Sequence, residues 1–149
     1  LNIVNKRMIT THLQKRSFMQ KTYLCIDLKS FYASVECVEL GLDPFEVNLV
    51  VADPTRGGGA ITLAATPAIK KLGVSSRGRI FEIDPKIEYM ITPPRMHLYM
   101  EYSCKVYKVF LEFIAKEDIH VYSIDESFLD VTSYLKLYQV SAKISQKKY

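Results

Sequence analysis

The chain has 149 residues, 48% of them hydrophobic and 24% charged, which fits one globular domain and excludes a disordered or fibrous chain. Its net charge of +4 permits nucleic-acid binding without arguing for it, and no apolar run reaches the roughly 18 residues that a membrane-spanning helix needs. Three cysteines, Cys25, Cys37 and Cys104, form no CxxC pair and sit in apolar or helical patterns, which reads as buried thiols in a reducing compartment.

Leu1 to Lys21 carry Lys6, Arg7, Lys15, Arg16 and Lys21 with no acid among them. That composition suits an arm on nucleic-acid phosphates or an organellar transit segment. The reading adopted is a disordered leader, with Met8 and Met19 as alternative starts. Tyr23 to Ile26 form an apolar, β-prone run that reads as a buried strand, with Asp27 at its end. Ser30 stands where it can cap a helix carrying Phe31, Tyr32, Val35 and Val38, which stops at Gly41. A carboxylate at a strand end, followed by a helix N-terminus, can hold a hard cation and a phosphate. A lone Asp after a strand is, however, ordinarily a turn residue.

Gly41 to Pro44 read as a loop and Val47 to Ala52 as a buried strand. Asp53 to Gly59 read as a turn or flexible hairpin connection to a partner strand, Ala60 to Ala65. The three glycines beside Arg56 do not make a P-loop, because G-x-x-x-x-G-K-[ST] is absent. Thr66 as N-cap, Pro67 at the first helical position and Gly73 past the end define a short helix bearing Lys70 and Lys71. Ile80 to Ile83 are a short apolar run and Ile87 to Ile91 one more strand; Thr92 to Arg95 break regular structure. Leu98 to Lys116 form the clearest helix. Its stripe of Leu98, Tyr102, Val106, Val109, Phe110, Phe113 and Ile114 reads as core.

His120 to Val131 read as strand, acidic tip, strand, a hairpin with Asp125 and Glu126 at its turn. Adjacent carboxylates repel, so a fold tends to leave them in water or on a metal. If one sheet brings Asp27 beside this tip, three carboxylates are available for two Mg²⁺ ions ~3.5–4 Å apart, the arrangement used for in-line phosphoryl or nucleotidyl transfer. Thr132 or Ser133 then caps a last helix through Tyr134, Leu135, Tyr138, Ala142 and Ile144.

Asp27-Leu28-Lys29-Ser30-Phe31-Tyr32-Ala33-Ser34-Val35-Glu36 and Ser123-Ile124-Asp125-Glu126-Ser127, in this order, resemble the two signature motifs of Y-family DNA polymerases. Within that family the resemblance is to the UmuC branch and its UvrX-like translesion polymerases. It implies an α+β fold: a ferredoxin-like polymerase palm, incomplete with its last strand missing, and an inserted small fingers subdomain. Residues 22–38 and 97–149 would be palm and 39–96 fingers, with thumb and little finger absent. The sheet edge beside the Asp27 strand would stand open.

The implied activity is metal-dependent nucleotidyl transfer in translesion DNA synthesis and DNA repair, as part of an SOS-type damage response. Asp27, Asp125 and Glu126 would be catalytic and, with the Leu28 carbonyl, would ligate two Mg²⁺ ions, with Mn²⁺ as a substitute. Phe31, Tyr32 and Lys70 would bind the nucleotide, and Tyr32 would be the steric gate that excludes a 2′-hydroxyl. Pro67 and Lys70 stand where the family usually has Tyr and Arg, so the triphosphate grip is changed. Arg77 and Arg79 are weak candidates for DNA contact, Glu36 for a structural role, and Asp130 for a strand-end or capping role. Implied partners are a DNA primer-template and dNTP, with other chains supplying the missing parts, or a sliding clamp. The implied location is the bacterial cytoplasm. The alternative is a truncated, non-catalytic UmuC-like protein that binds DNA or a polymerase partner without turnover. A cyclase is a weaker option, since cyclisation has no use for a sugar-excluding Tyr32.

Overall fold

The computed structural model describes residues 2–4 and 21–137. In chain order its strands are β1 (Asn2–Val4), β2 (Tyr23–Asp27), β3 (Leu49–Val51), β4 (Ala64–Ala65), β5 (Met90–Thr92), β6 (Ile119–Val121) and β7 (Glu126–Asp130). The α-helices are α1 (Phe31–Glu39), α2 (Pro67–Lys71), α3 (Met96–Leu111) and α4 (Tyr134–Leu137). The chain divides into two compact units, Leu1–Asp27 with Lys105–Tyr149, and Leu28–Cys104. The division falls after Asp27, and α1 packs on β3 and β4 within the second unit.

The first unit is built on an antiparallel sheet in the order β1-β2-β7-β6. β2 and β7 pair in register from Tyr23 with Asp130 to Asp27 with Glu126. The expected hairpin is present, with Ile119 opposite Leu129 and Val121 opposite Ser127. Two sequence expectations change here. Asn2–Val4, read as leader, pair with Tyr23–Cys25 and cover the edge expected to stand open. Tyr23–Ile26, expected to be buried, is half-buried throughout. Residues 5–20 of the expected leader, and the last helix past Leu137, lie outside the described residues.

Polar ties fix the far end of β2. Thr22 N–H donates to Thr132 Oγ1 (2.9 Å), and Lys21 Nζ meets Asp130 Oδ2 (3.1 Å). Asp130 Oδ1 accepts from the Thr132 N–H (3.1 Å) and hydroxyl (2.6 Å), so the strand-end role holds. Tyr134 Oη accepts from Ala115 N–H and donates to Asp118 Oδ2, both at 2.8 Å.

The second unit holds a three-stranded sheet, β4-β3-β5, with β3 antiparallel to β4 and parallel to β5. Leu49, Val50 and Val51 are fully buried, as their unbroken apolar run predicts. One face meets Ile69 and Ile83 in a core with Val50 and Ala65. Thr66 joins three elements through one hydroxyl. It donates to Val47 C=O (2.7 Å) and accepts from Leu49 N–H (3.1 Å) and Ile69 N–H (3.5 Å). Its capping role, with Pro67 next, is as the sequence predicts.

Gly41 ends α1 at φ +68°, a left-handed conformation open to glycine. Ser30 starts α1 differently from expectation: its own φ is +56° and its side chain makes no capping hydrogen bond. Asp53–Gly59 is not a plain loop, since Pro54–Gly59 is 3₁₀-helical with a kink at Gly57. Helix α3 stops at Leu111 instead of Lys116, and of the expected apolar stripe only Ile114, past the end of the helix, is buried. Leu98, Tyr102, Val106 and Phe110 are half-buried, Val109 and Phe113 are exposed, and within α3 the buried residue is Tyr99, outside the stripe. Cys37 is buried, but Cys25 is half-buried and Cys104 exposed, against the expectation for all three.

Candidate active site

Asp27 closes β2, Glu126 opens β7, and the two stand directly opposite across the ladder. Opposed residues put their side chains on the same sheet face, with Cβ atoms about 4.5–5.5 Å apart. The turn that carries Asp125 is fixed by its backbone: Tyr122 N–H and Ser123 N–H both donate to Glu126 C=O at 3.0 Å. Asp125 Oδ1 accepts from the Ser123 hydroxyl at 2.8 Å. Cys25, two residues before Asp27 and so on the same face, donates from its thiol to Glu126 Oε1 at 3.6 Å. Burial, then the Glu126 carboxylate, raises that thiol's pKa and keeps it protonated.

The strand ladder therefore brings Asp27 beside Glu126, and the turn places Asp125 next to Glu126 in the chain. Among the described residues, no group of three His, Cys, Asp or Glu side chains is arranged as an ion-holding cluster. The donor chemistry nevertheless suits a hard divalent cation, since each of the three residues presents carboxylate oxygens. Ser123 and Cys25, to which the sequence reading gave no part in the site, are the hydrogen-bond partners that orient two of these carboxylates. Leu28 follows Asp27 directly as the first residue of the second unit.

The nucleotide candidates lie in the second unit. Phe31 is buried and its ring is 5.9 Å from that of Tyr32, tilted by 52°. Tyr32 is half-buried and stacks on Tyr99, centroids 4.4 Å apart and planes within 10°. Lys70 Nζ donates to the Ser30 hydroxyl at 2.9 Å, tying α2 to the start of α1. Arg77 is exposed. Arg79 donates from its guanidinium to Gly59 C=O (2.8 Å), joining two loops.

Glu36 is the residue whose surroundings the sequence left unread. Its side chain is 3% exposed and accepts from Arg95 Nε with both oxygens (3.1 Å each) and from Arg95 Nη2 (2.6 Å). Tyr99 Oη also donates to it, at 2.6 Å. Burial, then the bond to Glu36, pushes the Tyr99 hydroxyl far above the usual phenol range, so it stays a donor. The signal available in the sequence was the four-residue spacing of Tyr32 and Glu36, and of Arg95 and Tyr99, which places each pair on one helix face.

Comparison with known proteins bears on this arrangement. Residues 26–147 match the impB/mucB/samB family. The chain is 46% identical over 116 residues to the putative UV-damage repair protein UvrX of Bacillus subtilis (strain 168), covering 76% of this chain and 27% of that one. It is 42% identical over 111 residues to the DNA repair protein homolog YozK of the same organism, covering 72% of this chain and 95% of that one. Among solved structures, a Y-family DNA polymerase chimera of Dbh and Dpo4 matches with a TM-score of 0.65 at 27% identity, over 76% of this chain and 33% of that chain. DinB from Sulfolobus solfataricus matches with a TM-score of 0.63 at 28% identity over the same shares. The chain thus spans about a quarter of UvrX and about a third of these polymerases. With the family match running over most of its length and the mixed α/β fold shared with Y-family polymerases, the chain belongs to the impB/mucB/samB family of Y-family DNA polymerase and DNA-repair proteins.

Proposed function

We propose that this chain carries the carboxylate centre of a Y-family polymerase and acts in metal-dependent nucleotidyl transfer during translesion DNA synthesis. The observation that supports it most is the pairing of Asp27 with Glu126 at the tip that also carries Asp125. Asp27, Asp125, Glu126 and the Leu28 carbonyl are the proposed ligands of two Mg²⁺ ions, which Mn²⁺ can replace. When bound, the ions supply positive charge that favours ionisation of a primer 3′-hydroxyl and offsets charge on the departing pyrophosphate. The 3′-oxygen bonds to the α-phosphorus of the dNTP, the bond to the pyrophosphate oxygen breaks, and the hydroxyl proton passes to solvent.

The chain's own residues orient the reactants. Backbone N–H groups at the start of α1, at Phe31 and Tyr32, and the Lys70 ammonium are the proposed phosphate contacts. Lys70 exchanges its Ser30 hydroxyl for a phosphate oxygen. Lysine supplies a point charge there, without the two-pronged hold of arginine. Tyr32 lies under the sugar and excludes a 2′-hydroxyl. Arg77, exposed, is the better proposed DNA contact, since Arg79 is engaged with Gly59. A palm formed around the β2–β7 sheet, a fingers part formed around the β3 sheet, and partner chains or a clamp that hold duplex DNA complete the proposal. The bacterial relatives make the bacterial cytoplasm the proposed setting.

Primer extension by the purified chain tests it, on a lesion-bearing template with Mg²⁺ or Mn²⁺. Extension that Asp125→Ala abolishes is the expected result. The likeness to YozK, a DNA repair protein homolog, supports a second reading, a non-catalytic UmuC-like protein that binds DNA or a polymerase without turnover. Folded wild type that retains DNA but never extends a primer would establish that reading and overturn the first.

A further inference from the structure

A linked row of four side chains lies within the second unit: Tyr32 stacks on Tyr99, Tyr99 bonds to Glu36, and Glu36 pairs with Arg95. Two of the four sit one turn apart on α1. Arg95 and Tyr99 are likewise one turn apart at the start of α3, where Tyr99 N–H donates to Arg95 C=O at 3.1 Å. Tyr32 and Glu36 therefore share a helix face, and so do the two residues that hold them.

This row constrains Tyr32 more than burial alone would. A parallel stack at 4.4 Å fixes where the plane of one ring lies only if the other ring cannot turn. Tyr99 is fully buried and its hydroxyl is held by a carboxylate, so its ring is pinned at both ends. Glu36 in turn is fixed by the fork of Arg95, whose planar donors meet both oxygens. Losing the hydroxyl bond leaves the Tyr99 ring in place but free to tilt. Losing the charge on Glu36 removes the reason for Arg95 to hold it.

We propose that Glu36 is a positioning residue: through Arg95 and Tyr99 it sets the plane of the Tyr32 ring, and with it the selection between deoxyribose and ribose at that ring. The selection clause rests on the proposed role of Tyr32, whereas the ring-plane clause stands on the network alone.

Two variants of the full chain, Glu36→Gln and Tyr99→Phe, test it with two readouts. The first is the aromatic NMR signal of Tyr32, assigned through Tyr32→Phe, which the stack on Tyr99 shifts upfield. Both variants are expected to move that signal toward the position of an unstacked tyrosine. Tyr99→Phe keeps the ring and the fold, so a change there is not explained by unfolding. The second readout is binding of dATP against ATP in Mg²⁺. The preference for dATP is expected to fall about tenfold while dATP affinity is nearly kept, in line with the cost of slightly misplacing a positioning group. Tyr32 signals unmoved in both variants overturn the proposal, and moved signals with an unchanged dATP preference overturn its selection clause. If Tyr32→Ala leaves the preference as in wild type, Tyr32 is not the sugar gate, and the selection clause falls with that reading. If wild type binds neither nucleotide, the proposed function fails, and the Tyr32 signal alone decides whether Glu36 positions the ring.

Discussion

Arg95→Ala is the substitution that reports most directly on the buried carboxylate. It removes three of the four contacts shorter than 3.2 Å that Glu36 accepts, leaving Tyr99 alone against a side chain that is 3% exposed. Breaking a fully buried ion pair by removing one partner costs about 3–5 kcal/mol. The Arg95 side chain is 47% exposed, so water reaches the gap and the cost falls to about 2–3 kcal/mol, near the range for hydrogen bonds to charged groups. For a chain of this size that lowers Tm by about 4–12 °C. Urea unfolding followed by circular dichroism measures it, in wild type, Arg95→Ala, Glu36→Gln and the double variant. With Glu36 neutralised, Arg95→Ala should cost at least about 1 kcal/mol less, the coupling expected of residues in contact. Equal costs in both backgrounds would refute the reasoning, because the loss would then be one of packing and not of an unpaired charge.

Three further outcomes follow from the geometry. Thr66→Val strips one hydroxyl from three backbone partners and should cost about 2 kcal/mol by chemical denaturation, whereas Thr66→Ser should cost less than about 1 kcal/mol. Gly73→Ala meets no neighbour but sits at φ +90°, so it should destabilise by about 1 kcal/mol; Gly59→Ala, equally open and without positive φ, should be neutral or better. Burial would raise the Asp130 carboxyl, but hydrogen bonds from Thr132 and Lys21 outweigh it and hold its pKa below the ordinary 3.8. Ionised Asp130 therefore stabilises the fold above that value and ceases to as pH falls through the folded pKa. Asp130→Asn should be destabilising at pH 7, with the difference from wild type closing toward pH 2 in thermal melts.

The sequence made the local punctuation legible. Thr66-Pro67 and Gly73 framed α2, Gly41 stopped α1, and the acidic pair between two apolar runs marked the turn before β7. Each of these rests on the chemistry of one or two residues acting on their own backbone. What stayed hidden depends on who meets whom across the chain. A three-residue run such as Asn2–Val4 carries no period long enough to announce a strand, and its pairing is set by the edge it finds. The parallel pairing of β5 with β3 bridges about forty residues and leaves no local mark. The stripe on α3 caught the buried Ile114 but missed Tyr99. Tyr99 is buried because a carboxylate 63 positions earlier accepts its hydroxyl, which periodicity does not record. Of the site, the residue types and the meeting of Asp27 with Glu126 were legible; the roles of Ser123 and Cys25, and the contacts around Glu36, were not.

The opposition of Asp27 and Glu126 has a consequence for how this protein can change over time. Like charges facing each other across a ladder weaken a sheet, so the tip works against its own pairing unless a cation sits between them. An amide in place of either acid would ease that tension without touching the apolar core. A copy carrying either amide would therefore be expected to keep its fold, so these acids are not what the scaffold itself requires.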